Sequence, residues 1–255
     1  MAVIVAHSTE GSTLEGAVAT LRARNSASHE VWEIGGERVQ LVALDQPARA
    51  LLNLPGGVET NNRGGVIQIE IVGFASRSSA AQALRVDEDH VPAGTPIIAE
   101  LDDDQLRWLG HTLRDLCAQV GAPFVFPRPF LPYPASYGDN GARLTFDEWL
   151  TVEGVIGHQH VPENDHGDPG ALDVARMVAL TTPALTPEDL MACLDPTTPI
   201  TVSGHQYNAA DVIAWTLEGV NALREAITRG NLTPAGPAGI TAAQVADEFA
   251  KRLTA

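Results

Sequence analysis

Apolar residues follow two rhythms along this chain. Residues 2–6 (Ala-Val-Ile-Val-Ala) form a short unbroken apolar run, the pattern of a buried strand. Residues 64–74 (GGVIQIEIVGF) alternate, with Ile67, Ile69 and Ile71 pointing one way and Gln68 and Glu70 the other, the period of a strand. Two shorter stretches, 29–34 and 38–42, flank Gly35-Gly36 and predict a hairpin. Helical spacing appears elsewhere. Leu14, Val18 and Leu21 follow Ser12-Thr-Leu-Glu15, which has the form of a capping box. Over 102–120, Leu106, Leu109, Leu113, Leu116 and Val120 recur at +3 and +4, with aspartates ahead and Gly121 behind, and predict the clearest helix. Strands mixed with helices in this order predict an α/β domain over residues 1–180.

Proline and glycine dominate 121–141 (GAPFVFPRPFLPYPASYGDNG), which predicts a short strand followed by a long ordered loop. Residues 181–200 turn to threonine and proline, as a linker or surface excursion would. Beyond them, Asn208 to Asp211 would cap a helix whose apolar positions are Ile213, Leu217, Val220, Leu223 and Ile227, and a last short helix is expected near 241–253. Residues 181–255 are therefore expected to form a small helical C-terminal extension or connector, with no motif to assign it a role.

Composition narrows the function classes. Of 255 residues, 44% are hydrophobic, enough for a well-buried core, while aromatics at 5% make that core aliphatic. The net charge of -16 argues against nucleic acid, whose phosphates require clustered Lys and Arg. No apolar stretch approaches the ~18 residues of a membrane span. The first residues lack the basic segment of a Sec-type signal peptide and run straight into the first strand. Cys117 and Cys193 do not make a disulfide framework, and Cys117, on the apolar side of a helix, is expected to be a buried free thiol.

The densest polar cluster is 157–170 (GHQHVPENDHGDPG). Its prolines and glycines exclude a regular helix, so it is a loop of imposed shape. A His and an Asp from such a loop, with a His from elsewhere, would supply three protein ligands and leave a position open, the pattern of catalytic zinc. A polar loop whose histidines cap turns has the same composition, and both readings stand at this point. Glu70 invites a function on its own account, since an ionisable group inside an isoleucine-rich strand is costly without a partner or a task.

The loop resembles the signature of the type-2 N-acetylmuramoyl-L-alanine amidase family, which includes phage lysozyme-amidases, AmpD-type enzymes and peptidoglycan recognition proteins: Gly-His, a Pro soon after, then Asp-Pro-Gly. Two other pieces fall in the family's order, VIVAHSTEG around His7 and IQIEIVG around Glu70. The wording is most similar to amidase modules of endolysins from phages of mycobacteria and related actinobacteria, and the likeness spans about 1–180. It implies a central mixed β-sheet flanked by helices. It also implies Zn2+ held by His7, His158 and Asp168, with Glu70 as general base.

Many relatives carry Lys two residues before the third ligand to steady the oxyanion, and His166 stands there in this chain. His29 and His160 are expected to support the site from behind. Ser28 occupies a position where some relatives use Tyr, which leaves the base role to Glu70. Asn61, Asn62, Arg63, Arg128, Tyr133 and Tyr137 are expected along a stem-peptide groove. His90, His111 and His205 carry no motif and are expected at the surface.

The implied partner is bacterial peptidoglycan, cut between N-acetylmuramic acid and L-alanine. The protein would be made in the host cytoplasm and act on the wall after release, as an endolysin does in host lysis. Two other readings fit the same resemblance: a recognition module that binds peptidoglycan without cutting it, and a muropeptide-recycling amidase.

Overall fold

The computed structural model describes residues 2–52, 61–162, 165–182, 200–202 and 205–207. The chain divides into two compact units, Met1–Val174 and Ala175–Ala255.

The first unit is built on a five-stranded mixed sheet. Its strands are β1 (Val3–Ser8), β2 (Glu30–Trp32), β3 (Arg38–Gln40), β4 (Val66–Ile71) and β5 (Gly154–Gly157), in the spatial order β3-β2-β4-β1-β5. All pairings are parallel except the β2–β3 hairpin. The helices are α1 (Leu14–Arg24), α2 (Arg77–Leu84), α3 (Asp103–Val120) and α4 (Phe146–Thr151), and α5 (Val174–Thr181) starts at the unit boundary. The fold is thus α/β, as the pattern predicted.

Central parallel strands are covered on both faces and carry continuous apolar runs. All six residues of β1 are buried, which explains the unbroken run at 2–6. β4 departs from the alternating expectation: all six of its residues are buried, Gln68 and Glu70 included. Gln68 is satisfied there, its Oε1 accepting from Ala50 N–H at 2.8 Å and its Nε2 donating to Asn62 Oδ1 at 2.9 Å. Glu70 instead lines a cleft at the carboxyl end of the sheet.

α3 follows its prediction closely. Asp102 caps it in a capping box with Gln105, Gly121 closes it at φ +71°, and Leu106, Leu109, Leu113 and Leu116 are buried. Cys117 on the same helix is a buried free thiol. α1 is capped one residue later than expected: Thr13 accepts from Gly16 N–H, and Glu15 lies in the first turn. No strand forms in 121–141. Prolines at 123, 127, 129, 132 and 134 deny the segment ladder donors, and the nearby β5 takes only a single bond from it, Val155 N–H to Val125 O at 2.8 Å.

In the second unit, β6 (Ile200–Val202) and β7 (His205–Tyr207) pair antiparallel. The helices expected after residue 207, the surface placement of His205, and Cys193 lie outside the described residues. Among the described residues, no helix is long and apolar enough to cross a membrane.

Candidate metal centre and cleft

Sheet register builds the site. His7 is the fifth residue of β1 and pairs with Glu70 on β4. On the other side of β1, Ala6 pairs with Gly157, the last residue of β5, so His158 emerges level with His7. Three functional side chains therefore meet at the carboxyl ends of adjacent parallel strands, where open α/β sheets present their sites.

A single 3-10 turn, His158–His160, then reverses the chain, and Asp168 returns to the same point. Gln159 fastens the return. Its backbone N–H donates to Asp168 O at 3.0 Å, its Nε2 donates to Gly170 O at 3.0 Å, and its Oε1 accepts from Leu131 N–H at 2.8 Å. Gly157 permits the close approach, because a Cβ there would lie 2.7 Å from Pro169 Cδ and 3.2 Å from the Asp168 carbonyl oxygen.

His7, His158 and Asp168 are all buried, and their donor atoms face one another. His7 Nδ1 lies 3.1 Å from His158 Nδ1 and 3.4 Å from Asp168 Oδ2, and His158 Nδ1 lies 3.1 Å from Asp168 Oδ1. A proton can satisfy one such pair, whereas a cation in their midst satisfies all three. Donors around a tetrahedral zinc at its usual 2.0–2.1 Å bonds are about 3.3 Å apart, so the spacing fits. Two imidazoles and a carboxylate are also a donor set that zinc accepts. Asp168 Oδ2 additionally accepts from Ser8 N–H at 3.3 Å.

The electrostatics suit a cation. Burial first, and His158 second, lower the His7 pKa to about 4, so its ring is neutral with a lone pair at pH 7. Burial alone would raise the Asp168 carboxyl, but His158 and His7 outweigh it and hold the group well below the usual carboxylate range. Glu70 moves the opposite way. Burial, then Asp168, then Glu10 push its carboxyl well above the usual range.

Around this point opens a cleft of about 650 Å³ that Glu10, Glu70, Tyr137 and His166 line together with the triad. His166 stacks on His158 with ring centroids 4.5 Å apart and planes 9° from parallel, and its Nδ1 is 3.7 Å from Asp168 Oδ1. Burial, then His158, lower its pKa, so it offers a neutral imidazole. Tyr137 borders the cleft and packs so closely on Gly167 that a Cβ there would meet the ring at 2.3 Å.

Other expected site residues are placed elsewhere. His29 is fully buried, with Nδ1 accepting from Gln68 N–H at 2.9 Å and Nε2 donating to Gln46 O at 2.8 Å. His160 is likewise spent on main chain, Nδ1 accepting from Gly157 N–H at 2.8 Å and Nε2 donating to Pro129 O at 3.0 Å. Both brace the segments that carry the site. Ser28 is buried and donates to Glu30 O at 3.1 Å.

Asn61 and Asn62 hold the carbonyls of Leu52 and Leu51, and Arg63 lies over the Trp149 ring at 4.9 Å and donates to its carbonyl. None of the three lines the metal cleft. Arg128 pairs with Glu148, and Tyr133 stands edge-on to Tyr137 at 5.5 Å. His111 is exposed, as expected of a residue without a motif. His90 is exposed too, beside Asp87 and Asp89 in a solvated acidic turn.

The structure adds residues that the sequence did not single out. Glu10 sits at φ +49°, and its Oε1 accepts from Ser8 Oγ at 2.7 Å and from Ala75 N–H at 2.9 Å, inside the cleft. Its signal was position alone, three residues after His7. Arg143 donates to Gly138 O, Val161 O and His166 O, tying both walls beside His166. In comparisons with known proteins, no family model, no curated protein and no solved structure matches the chain.

Proposed function

We propose that this chain is a zinc-dependent peptidoglycan amidase with the type-2 N-acetylmuramoyl-L-alanine amidase fold. In this reading it cleaves the amide between N-acetylmuramic acid and the L-alanine of the stem peptide, and acts as an endolysin on the bacterial wall. One observation carries it: three buried donors, one from the end of β1 and two from the loop after β5, converge at tetrahedral spacing, with a buried glutamate in register beside them. The sequence motifs that resemble the family supply the same residues independently.

His7, His158 and Asp168 would hold the ion. Zinc in such a site acts as a Lewis acid and lowers the pKa of water. Glu70 takes a proton from the attacking water and returns it to the departing amine, a task suited to a carboxyl that burial has made more basic than an ordinary carboxylate. His166, neutral and at the cleft wall, donates an N–H to the negative charge that develops on the substrate carbonyl oxygen. Arg143 positions it by holding its backbone carbonyl.

The test combines metal analysis with product analysis. Purified protein should carry one zinc per chain, lose wall cleavage on chelation and regain it with added zinc. The new amino terminus released from purified peptidoglycan should be L-alanine. Wall binding without that product, in zinc-loaded protein, would replace the enzyme with a recognition module.

A further inference from the structure

The cleft does not end at the metal centre. It continues along one face of α1, where Gly16, Ala17, Thr20, Leu21 and Arg24 line it. These positions are i, i+1, i+4, i+5 and i+8, a single helical stripe. Val18, with Ala17 and Leu21, packs toward the core residues Leu14, Val31 and Val72, so the helix divides between core and groove. Gly16, Ala17 and Thr20 keep the groove wall low, and Arg24 stands at its far end.

Among the described residues, Arg24 is the only lysine or arginine lining the cleft. Arg38, Arg77, Arg107 and Arg128 each hold a carboxylate of their own chain, whereas Arg24 has no such partner among the described residues. In a chain of net charge -16, an arginine left without an acid in a functional cleft is a feature to explain. We infer that Arg24 is a specificity residue that binds a carboxylate of the substrate at the end of the groove remote from the cut. The inference rests on the proposed amide cleavage of a peptide-bearing substrate.

The helix sets the distance. From Gly16 to Arg24 is eight residues, about 12 Å of helix. An extended peptide spans about 3.3–3.6 Å per residue, so the groove accommodates roughly three to four residues. The carboxylate that Arg24 meets is therefore carried about three to four residues along the groove from its Gly16 end, either on a side chain or at a peptide terminus. A guanidinium offers a carboxylate two parallel N–H donors, which an amide cannot accept in the same way.

The experiment uses muramoyl peptides of matched length that carry, three or four residues from the cut, a free carboxylate or its carboxamide. Side-chain and terminal positions are varied separately to identify which carboxylate is read. Cleavage is measured with zinc-loaded native protein, Arg24→Gln and Arg22→Gln, and binding with the same pair in a Glu70→Gln background. Arg22 shares the last turn of α1 but does not line the cleft, so it controls for charge alone.

The native protein should favour one carboxylate over its amide by roughly five- to ten-fold, the worth of a partly solvated charge-assisted pair. Arg24→Gln should erase that preference through KM with kcat kept, and Arg22→Gln should retain it. Equal binding of acid and amide by the Glu70→Gln protein with Arg24 intact, or an unchanged preference in Arg24→Gln, overturns the inference. Selective binding without cleavage would leave Arg24 as the reader and remove the amidase reading instead.

Discussion

Glu70→Gln separates a catalytic carboxyl from a structural one, because the two roles predict opposite changes. The side chain is 7% exposed on β4, flanked in register by His7 on β1 and Val31 on β2. Gln has nearly the same shape, so the substitution removes titration and little packing. A positioned general acid–base contributes about 10²–10⁴-fold, or about 3–5 kcal/mol of barrier. Turnover on peptidoglycan should fall by that factor while zinc content and KM stay near native.

Stability should move the other way. Burial, Asp168 and Glu10 raise the folded-state pKa, so Glu70 favours folding below the usual glutamate value, and that contribution is lost as pH rises through the raised one. Metal-free Glu70→Gln should then melt above metal-free native protein, with a gap that widens from pH 4 to pH 8. About 1 kcal/mol moves the Tm of a chain this size by roughly 2–4 °C, which scanning calorimetry resolves. Turnover within ten-fold of native would remove Glu70 from the chemistry. A variant that melts lower at every pH would show a carboxyl placed to support the fold.

Two further predictions follow from the site's construction. Asp168→Asn keeps the Ser8 N–H contact through its side-chain oxygen but removes the carboxylate shared by His7 and His158, so zinc retained after dialysis, read by atomic emission, should fall well below one per chain while the circular dichroism stays native. His29, whose pKa burial lowers, accepts from Gln68 N–H through Nδ1, so its protonation sets one N–H against another. Its contribution is present above about pH 6.5 and lost as pH falls below that value. His29→Ala should cost about 1–3 kcal/mol in urea unfolding at pH 7 and less at pH 5, and an equal cost at both would refute the assignment.

Much of the fold was legible because its signals were local. β1 and α3 announce themselves by an apolar run and by +3/+4 spacing, and both formed within a few residues of expectation. α4 carries an equally local signal, Thr145 with Glu148 in a capping box, yet at six residues it has too few apolar repeats for periodicity to expose it. β5 had no such signal. Gly154-Val-Ile-Gly157 is too short and too glycine-rich to look like a strand, and it exists because β1 offers it a ladder. The strand expected within 121–141 failed for the converse reason: Phe124 to Phe126 has strand composition, but the prolines around it remove the donors a neighbour would need.

The site was legible as residues and illegible as geometry. His7, His158 and Asp168 stood out by motif, but 151 positions separate the two histidines, and only register makes them level. The same register explains why the groove guesses at Asn62 and Arg63 went elsewhere. They precede β4, and the sheet delivers its functional ends at the opposite, carboxyl side, where β4 ends beside Glu70. Polarity in that region is spent instead on closing the chain around Leu51 and Trp149. The groove wall had to come from the element that follows β1, and α1, which begins six residues after Ser8, is that element. The order strand, candidate ligand, helix thus places His7 and Arg24 within eighteen residues of one another. A change in the length of the 8–13 turn should therefore shift substrate preference before it disturbs zinc.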